Sequence, residues 1–217
     1  MFEDAIQEIV VLSGGISAEY GRFTGGVVST ITKSGGNEFH GSLRDRVTNG
    51  AWQRRTPWSG ESSPLNVTNH AVEGTLGGFF LRDRVWFFLA ARDARSSARR
   101  LTILTNLRYE SDTGDQRAEA KLTARLTPRH SLISSFVTSS IAETNVNSAR
   151  TEGRVLDRES LIPERRQPLR FFALTSTSVL PAQWFTELHY STNLIAPEHS
   201  SQTNAPDQCI KARVVVQ

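Results

Sequence analysis

The chain has a single cysteine, Cys209, among its 217 residues. One cysteine excludes an internal disulfide and any metal site built on several thiolates. Common catalytic and phosphate-binding motifs are also absent, because the sequence has no G-x-S-x-G, no H-E-x-x-H and no glycine-rich phosphate loop. We therefore expect no enzymatic activity, no catalytic residue, no metal site and no cofactor.

Long apolar segments are absent as well, since the longest one runs only from Val85 to Ala91. A transmembrane helix needs about 20 apolar residues, so this sequence excludes one. The same absence is compatible with a transmembrane β-barrel, whose strands alternate lipid-facing apolar residues with lumen-facing polar ones. The modest hydrophobic content of 38% fits that architecture too.

A strong excess of one charge is also missing, because the formal net charge is only +3. Three arginine pairs, at 54–55, 99–100 and 165–166, could contact nucleic acid, but all three fall in predicted loops. Neither a recognition helix nor an aromatic stacking platform accompanies them. We expect no nucleic-acid partner.

Alternation of apolar and polar residues with a period of two is what the chain does have. It is clearest at 117–126, where Ala118, Ala120 and Leu122 alternate with Glu119 and Lys121. Short turns at 82–84, 127–130 and 180–183 alternate with long polar connections at 49–69, 95–115 and 142–168. Short turns on one side and long loops on the other are typical of outer-membrane barrels. The predicted strands are approximately 39–47, 71–81, 85–91, 117–126, 132–140, 169–179 and 184–191.

The polar members of these strands form a predicted lumen-facing set, which is mostly basic. Its charges could favour anionic substrates, or they could pair with a plug and with carboxylates of the barrel. We favour pairing. The set contains Arg44, Arg46, Arg117, Glu119, Lys121, Arg125 and Glu187.

A glycine-rich motif dominates the first forty residues, where the string AEYGRFTGGVVSTITKSGGNEFHG ends at Gly41. Glycine pairs bracket the β-branched run from Val27 to Thr32, as expected of tight turns around a strand. The string resembles the end of the plug domain of TonB-dependent outer-membrane receptors, in their Oar-like branch. Ser29 and Thr30 depart from the usual residues and make this strand more polar. The matching motif residues include Glu19, Tyr20, Gly21, Arg22, Gly25, Gly26, Thr32, Lys33, Gly35 and Gly36.

A second match lies at the same distance from the plug motif as in that family. The segment LGGFFLRDRVWFFLAARD resembles the hairpin that follows the plug, although Phe79 replaces the usual proline. Its aromatic residues gather beside the tight turn at 82–84, where a barrel places its interfacial girdle.

The resemblance implies an all-β fold: a partial antiparallel transmembrane β-barrel of about seven strands, preceded by the C-terminal part of a plug domain. We expect residues 1–37 to belong to the plug and 38–195 to the barrel with its outer loops. Residues 196–217 form a tail without an assigned structure. The first residues have no features of a secretory signal, so either Met1 is a false start inside a longer gene or the chain is a fragment of a longer receptor. We favour the fragment.

The resemblance also implies a function and partners for the complete protein, which we expect to reside in the cell outer membrane. Such receptors take up an external substrate actively, and an inner-membrane TonB-type complex supplies the energy through a segment missing from this sequence. Outer-membrane lipid is the second expected partner. The substrate stays unknown, because receptors for siderophores, cobalamin, glycans and peptides share this architecture.

Charged plug residues are the expected contacts between plug and barrel. Glu19, Arg22 and Lys33 are the candidates, with solvated turn charges as the alternative. For the whole chain, the alternative is a soluble β-rich binding or adhesion module, which would explain the alternation but not the plug motif.

Overall fold

The computed structural model describes residues 3–14, 25–52, 66–101, 108–147, 161–180, 184–195, 198–199, 202–203 and 207–216. These residues form two antiparallel sheets and two short 3-10 helices, Glu3–Ala5 and Gly50–Trp52. Within them, no helix has the length and apolar character needed to cross a membrane.

The smaller sheet pairs β1 (Ile6–Leu12) with β2 (Val27–Thr32). The bounds of β2 are those that the glycine-bracketed run predicted. Gly25, just before β2, has a φ of +97°, a left-handed conformation that glycine adopts without strain. The sequence analysis missed β1, whose residues IQEIVVL lack a clean alternation.

The larger sheet has ten strands, and seven of them form a meander. Each strand from β3 to β9 pairs antiparallel with the next along the chain. Their bounds are β3 (His40–Asn49), β4 (Thr68–Leu81), β5 (Val85–Leu101), β6 (Arg108–Thr127), β7 (His130–Asn147), β8 (Leu161–Val179) and β9 (Phe185–Ile195). All seven predicted strands are therefore present, and the expected all-β class is confirmed.

The predicted strand ends were wrong at two of the three long connections. Residues 95–115 were expected to form a polar loop, but β5 continues to Leu101 and β6 begins at Arg108. Likewise β7 reaches Asn147 and β8 begins at Leu161. In both places the backbone ladder continues beyond the point where hydrophobic alternation ends, because strand pairing needs only backbone groups.

The tail, which the sequence analysis left without an assigned structure, also contributes strands. The long strand β12 (Asp207–Val216) pairs with β9. The short strands β10 (Glu198–His199) and β11 (Gln202–Thr203) pair with each other, and β10 also pairs with β8. The meander is thus extended beyond β9 by one strand.

Candidate functional site

The larger sheet has two chemically different faces. We call the face that contacts the amino-terminal segment the inner face, and the opposite one the outer face. Large apolar side chains on the outer face are exposed, with Leu122 at 38%, Phe136 at 42% and Leu188 at 42% exposure. Had the sheet been the wall of a soluble core, these three would have packed together in a dry centre.

The inner face carries the candidate site, which begins where Asp4 meets β3. The carboxylate of Asp4 accepts a hydrogen bond from Arg44 Nη2 at 2.8 Å and a longer one from Ser42 Oγ at 3.4 Å. Ala5 follows and is 1% exposed, in one cluster with Phe88 and Ala90 of β5. The Ala5 methyl group packs on a hydrophobic patch and the Asp4 carboxylate binds the Arg44 guanidinium. Together these contacts hold the amino-terminal segment against the larger sheet.

A second contact ties the end of β2 to β6. Lys121 Nζ donates a 2.9 Å hydrogen bond to the carbonyl oxygen of Thr32. Next to it, the backbone nitrogen of Lys33 donates to the carbonyl oxygen of Ala5 at 2.8 Å, which holds the two ends of the segment together. The sequence analysis named Thr32 and Lys33 as residues of the plug motif and Lys121 as a lumen-facing residue.

The third contact is a clamp formed by Asn37 and the turn between β4 and β5. Asn37 Oδ1 accepts hydrogen bonds from the backbone nitrogen of Asp83 at 2.9 Å and from Trp86 Nε1 at 2.7 Å. Its Nδ2 donates to Asp83 Oδ1. Asp83 has a φ of 61°, a left-handed conformation that aspartate tolerates better than most residues. The oxygen and the nitrogen of this one amide side chain therefore both bond to the same turn and its flanking strand.

Gly35 allows the clamped segment to lie close to the backbone of the larger sheet. A Cβ atom placed on Gly35 would lie 2.2 Å from the carbonyl oxygen of Phe87 and 2.5 Å from that of Gly78. Only a residue without a side chain can approach two backbone oxygens in this way. Gly36 differs, because a Cβ there would meet nothing within 4 Å.

Ion pairs cover the middle of the inner face. Arg92 lies 3.4 Å from Glu73 and 3.6 Å from Asp115, and Arg117 lies 4.0 Å from Glu119. Arg92 and Arg117 are directly opposite each other in the ladder, a like-charge pair that would be unfavourable alone. The adjacent carboxylates offset that repulsion.

The predicted lumen-facing residues fall on this face by strand register. Arg44, Arg46, Arg117, Glu119, Lys121 and Arg125 lie on β3 and β6, and Glu187 on β9 pairs with His189 Nε2 at 2.9 Å. Arg125 stacks over the ring of Trp86 with 5.7 Å between guanidinium and ring centre. Glu19, Tyr20, Gly21 and Arg22 lie outside the described residues.

Several residues of the site escaped the sequence analysis: Asp4, Asn37, Glu73, Arg92 and Asp115. Each acts through a partner on another strand or turn, so its role is visible only once the register is known. One signal was available, since Asn37 belongs to the glycine-rich motif. Among the described residues no group of three or more His, Cys, Asp or Glu could hold a metal ion.

Comparison with known proteins agrees with this architecture. Residues 31–210 match the family described as outer membrane beta barrel domain. The TonB-dependent transporter Oar of Myxococcus xanthus is 30% identical over 126 residues, which cover 54% of this chain and 12% of that protein. The resemblance to TonB-dependent receptors is thereby confirmed.

A solved structure shows the same fold. The siderophore receptor PirA from Acinetobacter baumannii aligns with a TM-score of 0.66 at 17% identity, over 98% of this chain and 31% of that chain. This chain thus spans about an eighth of one relative and about a third of the other. One of these relatives is a transporter and the other is a receptor, which agrees with the expectation of no enzymatic activity. The chain belongs to the outer membrane beta barrel domain family and is a protein of the cell outer membrane.

Proposed function

We propose that this chain forms part of the wall of a TonB-dependent outer-membrane receptor, together with the end of the plug that closes its lumen. The complete receptor would take up an external substrate actively. The observation that carries the proposal is the docking of an amino-terminal segment on the inner face at three separate points. In this proposal residues 1–37 belong to the plug, 38–195 to the wall and 196–217 to a tail that continues it.

The docking contacts are of a kind that can be broken and remade. The Arg44 and Asp4 side chains keep 41% and 24% of their surface exposed, and exposed ion pairs contribute only about 0 to 1 kcal/mol. The Lys121 contact adds one charge-assisted hydrogen bond. A plug held by a few such contacts can move when it is pulled and return afterwards.

The Asn37 clamp has the opposite character. It lies on the short connection between β2 and β3, so it fixes the segment to the wall where the chain passes from one sheet to the other. In a receptor, that position would keep the plug tethered while the rest of it moves. We propose the glycines and asparagine of the motif as this tether.

Charges on the inner face favour the pairing alternative over a simple anion filter. Arg44 pairs with Asp4, Arg92 with Glu73 and Asp115, and Arg117 lies by Glu119. Glu73 and Glu119 are only 8% and 7% exposed. We propose that this set lines the lumen and positions the plug, and that regions beyond it select the substrate.

The partners follow from the same proposal. A TonB-type inner-membrane complex would pull on the plug of the complete receptor. Outer-membrane lipid would cover the apolar outer face. The soluble binding module is not retained, because its apolar outer residues would be left in water.

The test uses the complete receptor with Arg44→Ala and Lys121→Ala combined. These substitutions remove the contacts with Asp4 and with the Thr32 carbonyl, two of the three docking points. We therefore expect single-channel leakage in planar bilayers to rise several-fold over that of the unchanged receptor. Arg95→Ala with Arg129→Ala is the matched control, since it removes two exposed arginines that do not touch the amino-terminal segment. Leakage equal to that of the control, with unchanged uptake, would overturn the proposal.

A further inference from the structure

The outer face of the wall has an apolar groove of about 630 Å³. Leu43, Leu76, Leu89 and Phe136 are its large side chains on this face, and Ala118 and Ala120 form part of its floor. Leu43 is 84% exposed and Leu89 is 44% exposed, so the walls of the groove project outward. The groove opens on the apolar surface that faces the membrane.

The register shows how the groove is bounded. Leu89, Ala120 and Phe136 are neighbours in one row across β5, β6 and β7. Ala120 therefore leaves a gap between two large side chains. Along β6 the groove extends from Ala118 to Ala120, a length of about 7 Å at the usual rise per residue.

A second depression of about 350 Å³ adjoins the groove, shares Ala118 with it and is also lined by Arg92 and Arg117. Asp93, Gln116, Thr138 and Ser140 line it on the outer face. Gln116 Nε2 donates to Asp93 Oδ1 at 3.0 Å. Carboxylate, amide and hydroxyl groups on one small surface can bind the hydroxyl groups of a sugar.

Two arginines flank the depression. Arg95 is 77% exposed, and its Nε lies 3.5 Å from Asp93 Oδ2. Arg170 of β8 lies directly opposite Thr138 of β7. Arg170 is exposed, and no described carboxylate lies within ion-pair distance of it. Asp93 is the acidic group beside this pair, and Arg95 and Gln116 both contact it. Guanidinium groups bind phosphate through paired hydrogen bonds.

We propose that this amphipathic groove binds one molecule of a phosphorylated, acylated glycolipid from the outer leaflet of the membrane. An acyl chain would lie over Ala118 and Ala120, the sugar would occupy the depression, and a phosphate would reach Arg170. Two observations favour this occupant. The groove is continuous with the membrane-facing surface, and its polar end lies toward the long connections, on the side that outer-membrane barrels expose outside. The proposal does not depend on substrate uptake.

The test starts from the protein extracted intact from outer membranes in a mild detergent and then delipidated. Lipid A, a phosphorylated and multiply acylated glucosamine disaccharide, is titrated and followed by native mass spectrometry, with phosphatidylglycerol in parallel. We expect Ala118→Leu with Ala120→Phe to weaken lipid A binding about tenfold by filling the groove. Arg170→Gln should weaken it about tenfold for phosphorylated lipid A but not for a dephosphorylated form.

Two controls accompany these variants. Ser134→Leu enlarges an outer-face residue of β7 outside the groove, and Arg129→Gln removes an exposed arginine from a short turn. Both should leave binding within about twofold of the unchanged protein. If the groove variant is not recovered folded, Arg170→Gln compared with Arg129→Gln decides alone.

Three results would overturn the proposal. Lipid A could bind equally to the variants and to the controls, which would exclude the groove as its site. Phosphatidylglycerol could bind as tightly as lipid A and be lost in the same variants, which would assign the groove to a phospholipid. A dimer that the groove variants dissociate would assign it to a second copy of the chain.

Discussion

The two faces of the larger sheet are built from the same strands but hold their side chains in different ways. On the outer face Leu43, Leu76 and Phe80 remain 84%, 47% and 71% exposed, and no described part of the chain forms a layer over them. On the inner face Glu73 and Glu119 are nearly buried among arginines. The inner face is thus covered by ion pairs and by the amino-terminal segment, whereas the large apolar side chains of the outer face are left for lipid to cover.

The largest loss of stability is expected when a charge is placed on the apolar outer face. Leu122→Arg would place a guanidinium among lipid chains, and we expect a loss of about 2 to 4 kcal/mol in the free energy of unfolding. The neighbouring change Thr123→Arg, on the inner face, should cost less than about 1 kcal/mol. Urea titrations of the protein folded into bilayers would measure both. Equal costs at the two positions would show that the faces do not differ in environment.

The tether offers the next largest effect, at Gly35. Gly35→Ala must push apart the backbone around Phe87 and Gly78, so we expect a loss of about 1 to 3 kcal/mol. Gly36→Ala is the matched control, because its Cβ would meet nothing within 4 Å. The same urea titration applies. A control as destabilising as Gly35→Ala would mean that flexibility, and not close approach, explains these glycines.

Asn37→Ala should have an intermediate effect that is local. It leaves the Trp86 Nε1 donor and the Asp83 backbone nitrogen without their partner, at about 1 to 3 kcal/mol. Hydrogen exchange should then accelerate at residues 33–39, with β6 and β7 unchanged. Asn49→Ala is the control, since its side chain bonds to Thr68 and to the backbone of Ala51 at the far end of β3 from Asn37. Unchanged exchange at 33–39 would remove Asn37 from the tether.

The smallest effect is expected for the ion pair between Asp4 and Arg44. A double-mutant cycle with Asp4→Ala and Arg44→Ala should give a coupling energy of about 1 kcal/mol or less, because both side chains are partly exposed. The coupling should shrink further in high salt. A coupling of several kcal/mol would contradict the view that this plug contact is readily reversible.

Sequence reasoning found the strand interiors because lipid on one side and polar groups on the other force a strict alternation. It failed at the ends of β5 to β8, where the alternation stops and the strands are held by backbone pairing and by cross-strand contacts such as Arg99 with Glu110 and Arg165 with Glu143. It also missed the ion pairs of Arg92 and the clamp of Asn37, because their partners lie 19 to 49 residues away along the chain. The strand β12 was also missed, although Ile210, Ala212 and Val214 alternate with Lys211 and Arg213, and the structure identifies it by its pairing with β9.

The central claim is that even-numbered residues of β6 face lipid and odd-numbered ones face the polar interior. The most direct test attaches a spin label to each position from 117 to 124 in turn, with Cys209→Ser as background, and measures collisions in bilayers. We expect oxygen, which dissolves in lipid, to reach labels at 118, 120 and 122, and a water-soluble nickel complex to reach those at 117 and 123, whereas positions 119 and 121 are shielded from both by the neighbouring side chains and the amino-terminal segment. Collision rates without a period of two, or with the opposite phase, would contradict the account.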